Sequence, residues 1–405
     1  MTGSSIGVIA AGALSSLGRG ANAYAVGAAG EAPRCAVGLD PELSEHGLTR
    51  PRAARLPSPV RDGELETSAA LLNAAARDLA VELDSVRPGF RSERVAVVLG
   101  TSSAGLFAQR GAFRSLAAAQ AIERGVARAA PYFAPAREVE ARLGIRAVRV
   151  VQVLAACASS TLALGIGLRY LELDHCDLVI AGGYDAVDPL VAAGFEVLGA
   201  TTATVPRPFR VERDGLALGE GAALVALART SSPCLGRVLG FAATSDAHHV
   251  TAPDPSGKGL AAAALRALAD AEVSAGSIDL VSAHGTATTY NDTAEARALE
   301  RALGPTDAVV HAFKGSIGHT LGAGGVLETL AALDAMQRGV TPASFGGGTA
   351  IPELLARLPA RNERGSARHA LKLSAAFGGV NAALVLARSD VEHERSRRLG
   401  RPVTV

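Results

Sequence analysis

An α/β fold made of two halves with the same strand–helix order is what this sequence predicts. Three observations carry that prediction. Short β-branched apolar runs alternate with segments of helical periodicity. The alternation starts afresh near residue 240. Glycine is abundant (45 of 405 residues) while aromatics reach only 4% and Trp is absent, a composition in which small residues let strands and helices approach closely.

The elements follow in order. Ile6–Ala11 and Val95–Leu99 read as buried strands, each running into a Gly/Ser turn, and Val148–Leu154 (VRVVQVL) as a β-branched strand. From Cys157 to about Leu173 the apolar residues Leu162, Ile166, Tyr170 and Leu173 recur at helical spacing. Asp177–Ala181 is a further strand, closed by Gly182-Gly183. Downstream, Leu260–Ala271 reads as a helix, Ile278–Ser282 as a strand ending at His284, and Asp292–Leu303 as a helix. Ala308–Phe313 is a strand ending at Lys314, Gly325–Met336 a helix, and Ala370–Ser374 a strand that meets the glycine turn at Gly378-Gly379 before Ala382–Ala387. The expected halves are residues 1–240 and 241–405, with a charged, peripheral tail from Ser389.

Bulk properties exclude several classes. The formal charge of +1 argues against a nucleic-acid or polyanion binder. Four cysteines (Cys35, Cys157, Cys176, Cys234) lie far apart with no metal-ligand spacing, which reads as reduced thiols in a cytoplasmic protein. The opening MTGSSIGVIAAGALSSLG lacks the positive start of a signal peptide and suits a strand and turn. No apolar run reaches the ~18 residues of a membrane span. Only three lysines occur, Lys258, Lys314 and Lys372, so a lysine inside a motif carries more information than usual.

Cys157, in AACASS, sits where a strand ends and a helix begins. Small neighbours permit a sharp turn, the helix N-terminus is expected to lower the thiol pKa, and N–H groups there suit a developing oxyanion. On its own the segment reads more readily as a buried structural cysteine. His284 (SAHGTATTYND) and His319 (KGSIGHTLGAGG) each follow a strand in a Gly-rich loop, where α/β active sites gather. Imidazoles beside a thiol suit carbonyl polarisation or enolate stabilisation. A zinc site is the rival, but the loops offer no evident third ligand. His248-His249 read as ordinary loop residues.

Taken together, these segments resemble the β-ketoacyl synthases, the condensing enzymes of the thiolase-like superfamily. ACASS resembles the nucleophile segment, HGTATTYND the HGTxTxxxD motif, and KGSIGHTLGAGG the KSxxGHxxGAxG motif. PRPFRVERDGLALGEGA (206–222) is similar to RPFDxxRDGFxxGEGA, and SAAFGGVNAAL (374–384) to the SFGFGGxNA loop. The likeness runs over residues 5–388 in the family's order.

The resemblance implies a duplicated five-layer αβαβα fold and a decarboxylating condensation without metal or organic cofactor. Cys157 would carry the acyl group delivered by acyl carrier protein, and His284 and His319 would stabilise the enolate of a malonyl thioester. The backbone N–H groups of Cys157 and Phe377 would form the oxyanion hole, with Phe377, Gly378 and Gly379 as the gating loop. Lys314 and Glu328 match a charged pair supporting His319. Thr286, Thr288 and Asp292 match the malonyl-side threonines and their supporting aspartate, and Asn381 completes the glycine loop. Phe195 and Phe107 match substrate-pocket positions, the bulky Phe107 shortening the acyl pocket. The implied assembly is a homodimer with strand Val148–Leu154 near the twofold axis, or a heterodimer with a chain-length factor.

Departures point to specialised polyketide or polyene chains, with housekeeping fatty-acid elongation as the alternative. Ala376 replaces the glycine that normally precedes the gating Phe, the 195–207 loop is short, and Gly199 stands where a carrier-binding basic residue is expected. Arg110, Arg114, Arg124 and Arg128 read either as a receiver of an acidic carrier helix or as a solvated helix face. A chain-length factor would have lost the nucleophile or a histidine. A thiolase would have a second cysteine near the C-terminal glycine loop, and none follows Cys234.

Overall fold

The computed structural model describes residues 5–60, 67–103, 105–230 and 233–391. The first half comprises β1 (Ser5–Ser15), α1 (Thr67–Val86), β2 (Val95–Gly100), α2 (Leu106–Ala117), α3 (Ala134–Leu143), β3 (Arg149–Val153), α4 (Ser159–Glu172), β4 (Leu178–Asp185), α5 (Pro189–Val197) and β5 (Gly221–Thr230). The second comprises β6 (Gly236–Ser245), α6 (Lys258–Ala271), β7 (Leu280–Ser282), α7 (Thr289–Leu303), β8 (Val309–His311), α8 (Gly324–Arg338), β9 (His369–Ala375) and β10 (Val380–Ala387).

The two halves repeat one topology. The sheet order is β8-β7-β9-β10-β6 followed by β1-β5-β4-β2-β3. Numbered within its own half, each set of five strands runs 3-2-4-5-1. In both, the first three neighbours are parallel and the last two pairings antiparallel. The halves join along a short seam, where Gly7 pairs with Arg237 and Val8 with Gly236.

Five layers result. Helix α1 covers the outer face of β1, β4 and β5, and α6 covers β6, β9 and β10 with α7 packed beside it. Between the sheets lie α4 and α8, each touching strands of both halves as well as each other. Alternate strand residues therefore feed different cores. Val97, Leu99 and Ile180 face the outer core while Ala96, Val98 and Val179 face the central one. On β10, Leu384 and Leu386 face inward while Ala383 and Val385 face outward. Burial on both faces explains why these strands read as unbroken apolar runs.

Where the sequence reading named an element, the structure differs from it mainly at the ends. The helix expected from Cys157 begins as a single 3-10 turn, Ala156–Ala158, before α4. Lys314 opens a four-residue helix, Lys314–Ile317, at the end of the β8 segment. Periodicity did not anticipate α1, β5 or β6. The charged tail falls outside the described residues from 392 onward; Ser389 before it accepts from Gln337 and, through its carbonyl, from Arg237. Among the described residues no helix is long and apolar enough to cross a membrane, and all four cysteines are free thiols.

Candidate active site

Strand ends from both halves converge on one cavity of about 230 Å³, open to solvent, whose walls include Cys157, His284, His319, Phe195, Thr286, Thr288, Asn381 and Phe377. Cys157 reaches it from the 3-10 turn after β3, where Ala156 takes a positive φ of 45° and kinks the chain out of the strand. Its Sγ lies 2.9 Å from His319 Nε2. The rings of His284 and His319 meet edge to face, 5.6 Å between centroids at 87°.

Hydrogen bonds at the far nitrogens set both tautomers. Leu321 N–H donates to His319 Nδ1 at 3.3 Å, and Lys314 Nζ lies 3.2 Å from His284 Nδ1 and donates at 2.8 Å to the His284 carbonyl. With Nδ1 accepting in each ring, the proton sits on Nε2. Burial first, then the nearby Lys314 ammonium, holds both imidazoles well below their usual 6.5. The site thus carries two neutral Nε2–H donors, one of them directed at the thiol.

Burial also pushes the Cys157 thiol up to about 12, against the pull of Lys314. This corrects the expectation of a lowered thiol pKa. Cys157 is only 7% exposed, so desolvation of the thiolate outweighs the helix N-terminus and the cation.

Beneath the histidines lies a buried charge network. Lys314 pairs with Glu328 on α8, and the other Glu328 oxygen lies 2.7 Å from Lys372 Nζ. Asp292, fully buried at the start of α7, accepts from Phe209 N–H at 2.7 Å and Ala287 N–H at 3.1 Å, and burial raises it to about 6. Thr288 caps α7, and its hydroxyl lies 3.0 Å from that of Thr286.

Sequence reasoning missed two members of this network. Glu295, one turn after Asp292 on α7, accepts from the backbone N–H of His284 (2.6 Å) and Gly285 (2.8 Å), and burial raises it to about 7. Its i+3 spacing from Asp292 was the available signal. Lys372 was noted only as one of three lysines.

The glycine loop is a tight turn. Gly378 and Gly379 take φ of +85° and +78°, and Gly379 N–H donates to the Ala376 carbonyl. Ala376 is not among the positive-φ residues, so its Cβ brings no backbone strain in this conformation. The Phe377 ring packs 5.5 Å from Phe195, and Asn381 donates to Asp246 at 2.7 Å. Gly199 has a local cause: it follows α5 with φ +65°, bonded back to Glu196, a left-handed cap that disfavours a side chain. Phe107 is not brought to this cavity; it packs beside the outer core with the Arg110 guanidinium over its ring. Arg110 itself is tied at 2.6 Å to the buried Asp188, while Arg114, Arg124 and Arg128 are exposed.

Backbone strain collects here too. Ala156, Ala287, Leu321 and Phe209 are four of the eight non-glycine residues with positive φ among the described residues. They flank Cys157, lie between Thr286 and Thr288, follow His319, and meet Asp292. Such clustering marks sites whose geometry is imposed by their surroundings.

The ligand atoms of Cys157, His284 and His319 lie within 4.8 Å of one another, a spacing a soft metal ion can bridge. The residues do not fit one. A ligating histidine ordinarily donates from its outer nitrogen to a carboxylate or carbonyl, whereas His284 presents that nitrogen to the Lys314 ammonium.

Comparison with known proteins agrees with this geometry. The family profile described as β-ketoacyl synthase, N-terminal domain, matches residues 65–232, and that of the C-terminal domain residues 235–347. The 3-oxoacyl-[acyl-carrier-protein] synthase 2 of Mycobacterium tuberculosis is 34% identical over 59% of this chain and 61% of its own. The ketoacyl synthase alpha subunit of the tetracenomycin polyketide synthase of Streptomyces glaucescens is 35% identical over 64% of this chain and 65% of its own. The matched segment thus spans somewhat less than two thirds of either relative. A solved structure, the ishigamide ketosynthase/chain length factor, superposes with TM-score 0.87 at 27% identity, covering 96% of this chain and all (100%) of that one. Two family profiles in order over more than half the chain, on a duplicated five-layer fold with the Cys–His–His cavity at its centre, establish that this chain belongs to the β-ketoacyl synthase family.

Proposed function

We propose that the protein catalyses a decarboxylative Claisen condensation between an acyl group held on Cys157 and malonyl-acyl carrier protein, giving β-ketoacyl-acyl carrier protein. The observation that carries this reading is the pair of neutral Nε2–H donors of His284 and His319 in the same cavity as the Cys157 thiol. Acyl transfer forms the Cys157 thioester and releases the first carrier as its thiol. The malonyl carboxyl then leaves as carbon dioxide, and the negative charge developing on the thioester oxygen accepts from the two Nε2–H groups. The resulting carbanion attacks the acyl-Cys157 carbonyl, the carbon–sulfur bond breaks, and the sulfur regains a proton.

Lys314, held by Glu328, fixes the His284 ring; Thr286, Thr288 and Asn381 line the malonyl side, with Asp292 as the brace of their loop; Phe377 and the Gly378-Gly379 turn act as the gate. Phe195 faces the substrate. Phe107 borders the acyl chain only if a partner chain completes that pocket. The nucleophile lies in the proposed half 1–240 and the histidines in 241–405, so both halves are needed.

The chemistry requires no metal or cofactor, and the protein acts in the cytoplasm with acyl- and malonyl-loaded acyl carrier protein as its partners. Edge strand β3 leaves Val150 43% exposed, with Val148 and Leu154 flanking it at 56% and 48%, which favours self-association or pairing with a chain-length factor through that edge. Polyketide or polyene chains are the substrates we favour over ordinary fatty acids.

Two experiments test this. Cys157→Ala abolishes acylation yet retains malonyl decarboxylation, whereas His284→Ala or His319→Ala impairs decarboxylation; β-keto product from Cys157→Ala overturns the assignment. Efficient elongation of long saturated acyl chains in a carrier panel overturns the specialised reading.

A further inference from the structure

Strand β9 runs HALKLSA, and its residues alternate between two cores. Leu371 and Leu373 face the outer core, and Ala370 faces the central one. Lys372 therefore occupies a position turned toward α8, where an aliphatic side chain is the ordinary choice. It is 0% exposed. Its Nζ meets Glu328 Oε2 at 2.7 Å and Ser374 Oγ at 3.1 Å, and donates to the Leu373 carbonyl. Across the sheet Lys372 is the register partner of Ser282, which in turn pairs with His311. Ser282 lies two residues before His284, and its hydroxyl donates to the Glu328 carbonyl at 3.3 Å.

A single carboxylate, Glu328, is thus gripped by two buried ammonium groups: Lys314, which touches His284, and Lys372, which touches neither histidine. Buried ion pairs contribute little net stability compared with well-packed apolar residues. Their value lies in fixing one arrangement. Lys372 pairs with the Glu328 oxygen that Lys314 does not use, so the carboxylate is held at both oxygens while it holds Lys314 against His284.

We propose that Lys372 is a positioning residue of the condensing site: through Glu328 it fixes Lys314 against His284 and adds a second positive charge beneath the two imidazoles. This rests on the reading that His284 and His319 stabilise the enolate. The groups facing the imidazoles are the Cys157 thiol, the ammoniums of Lys314 and Lys372, and the carboxylates of Glu328 and Glu295. Beyond these, Asp292 acts on Glu295, His311 interacts with Glu328, and Asp185 acts on Cys157. The cations disfavour imidazolium and so keep both rings as neutral donors. They also place fixed positive potential where negative charge develops in the reaction.

The test is Lys372→Met, which keeps an unbranched chain one atom shorter and removes the charge while leaving Glu328 its partner Lys314. Malonyl-carrier decarboxylation and its pH profile are measured beside the wild type, with Cys157 acylation as a control. The rate falls about tenfold, the order expected for coupled members of one buried network. The acidic limb moves up by about one pH unit, because losing a nearby cation eases imidazole protonation. A limb at the wild-type pH overturns the proposal even if the rate falls, since a purely structural role lowers rate without moving it. Ring 15N spectra of the histidines read the same charge without turnover. They keep this inference separate from the parent reading, which fails if the wild type does not decarboxylate. In these spectra both site imidazoles are neutral in the wild type at pH 6, and titrate higher in Lys372→Met. If the variant does not fold, the wild-type spectrum decides: protonated site imidazoles at pH 6 overturn the proposal.

Discussion

The reactivity of Cys157 tests the electrostatics of the site most directly. Its thiol is pushed up from 9.0 to about 12 by burial, which at neutral pH leaves about 10³-fold less thiolate than an ordinary cysteine has. A more basic thiolate is also a better nucleophile; with a Brønsted coefficient of ~0.4–0.5 the gain is about 20-fold. The two effects leave Cys157 about 50-fold slower toward iodoacetamide at pH 7 than a model cysteine peptide. The rate should climb tenfold per pH unit from pH 6 to 10. Because Cys35, Cys176 and Cys234 are also free thiols, the assay is mass-spectrometric quantification of the Cys157 peptide alone. His319→Ala removes the Nε2–H donor at 2.9 Å from Sγ and slows alkylation further. A pH-independent plateau between pH 6 and 8 would refute the reasoning, because it would mean a standing thiolate–imidazolium pair and a desolvation cost far smaller than burial implies.

Two further perturbations address the supporting structure. Glu295 has its carboxyl raised by burial from 4.5 to about 7. An acid raised on folding favours the folded state most below its unfolded value and loses that contribution as pH rises through its folded one. The gap corresponds to about 3 kcal/mol, so denaturant titrations should show Glu295→Gln gaining that much relative to wild type between pH 4 and 8; a constant difference refutes it. The expected starting point is a deficit of about 1–3 kcal/mol, because the amide cannot accept from both His284 and Gly285 N–H. Gly322→Ala would put a Cβ 2.6 Å from Thr101 Cα and 2.7 Å from Asp185 Oδ2. The clash displaces the turn that carries His319, so condensation should fall by more than the loss in thermal stability explains. Wild-type turnover from this variant counts against a rigid Asp185 anchor.

The parts of the fold legible in the sequence were those whose burial pattern is local. Val95–Leu99 and the DLVIA strand are buried on both faces, so they appear as apolar runs whatever the partner. The helix after Cys157 was marked by periodicity, and α6, α7 and α8 by their places between strands in the repeated strand–helix order. In contrast, the first turns of α1 are buried all round, Ser68 and Asn73 included, so they show no polar face to read. Strands β5 and β6 are Ala- and Gly-rich and owe their pairing to strands far away in sequence, β5 to β1 and β6 to β10. The site shows the same division. Cys157, His284 and His319 stood out because small residues surround reactive ones. The pKa of Cys157 did not, because desolvation depends on what covers the thiol and not on the turn it sits in. Glu295 and Lys372 were silent for a related reason: each acts through a contact made only after the sheet and helix have packed.

Duplication explains why so many reactive side chains arrive at one point. In each half the third strand of the topology runs through a turn into a middle-layer helix: β3 through Cys157 into α4, and β8 through Lys314 and His319 into α8. Cys157 and His319 thus occupy equivalent loops of the two halves. Packing brings those loops together because α4 and α8 meet at their N-terminal ends. A Cβ on Gly325 would lie 2.2 Å from Thr161 Oγ1 and 2.7 Å from Thr161 N, and Val326 N–H donates to Ser160 Oγ at 3.1 Å. Glycine at 325 is what lets the helices approach so closely. Two helix N-termini then face one cavity, and their partial positive charges add where a reaction that builds negative charge on oxygen needs them. His284 comes from the second strand of its half, whose counterpart loop in the first half, Thr101–Ser103, instead donates to the buried Asp185 together with Gly322 N–H of the His319 turn. One half supplies the two histidines of the cavity, and the equivalent loop of the other anchors the turn that presents one of them.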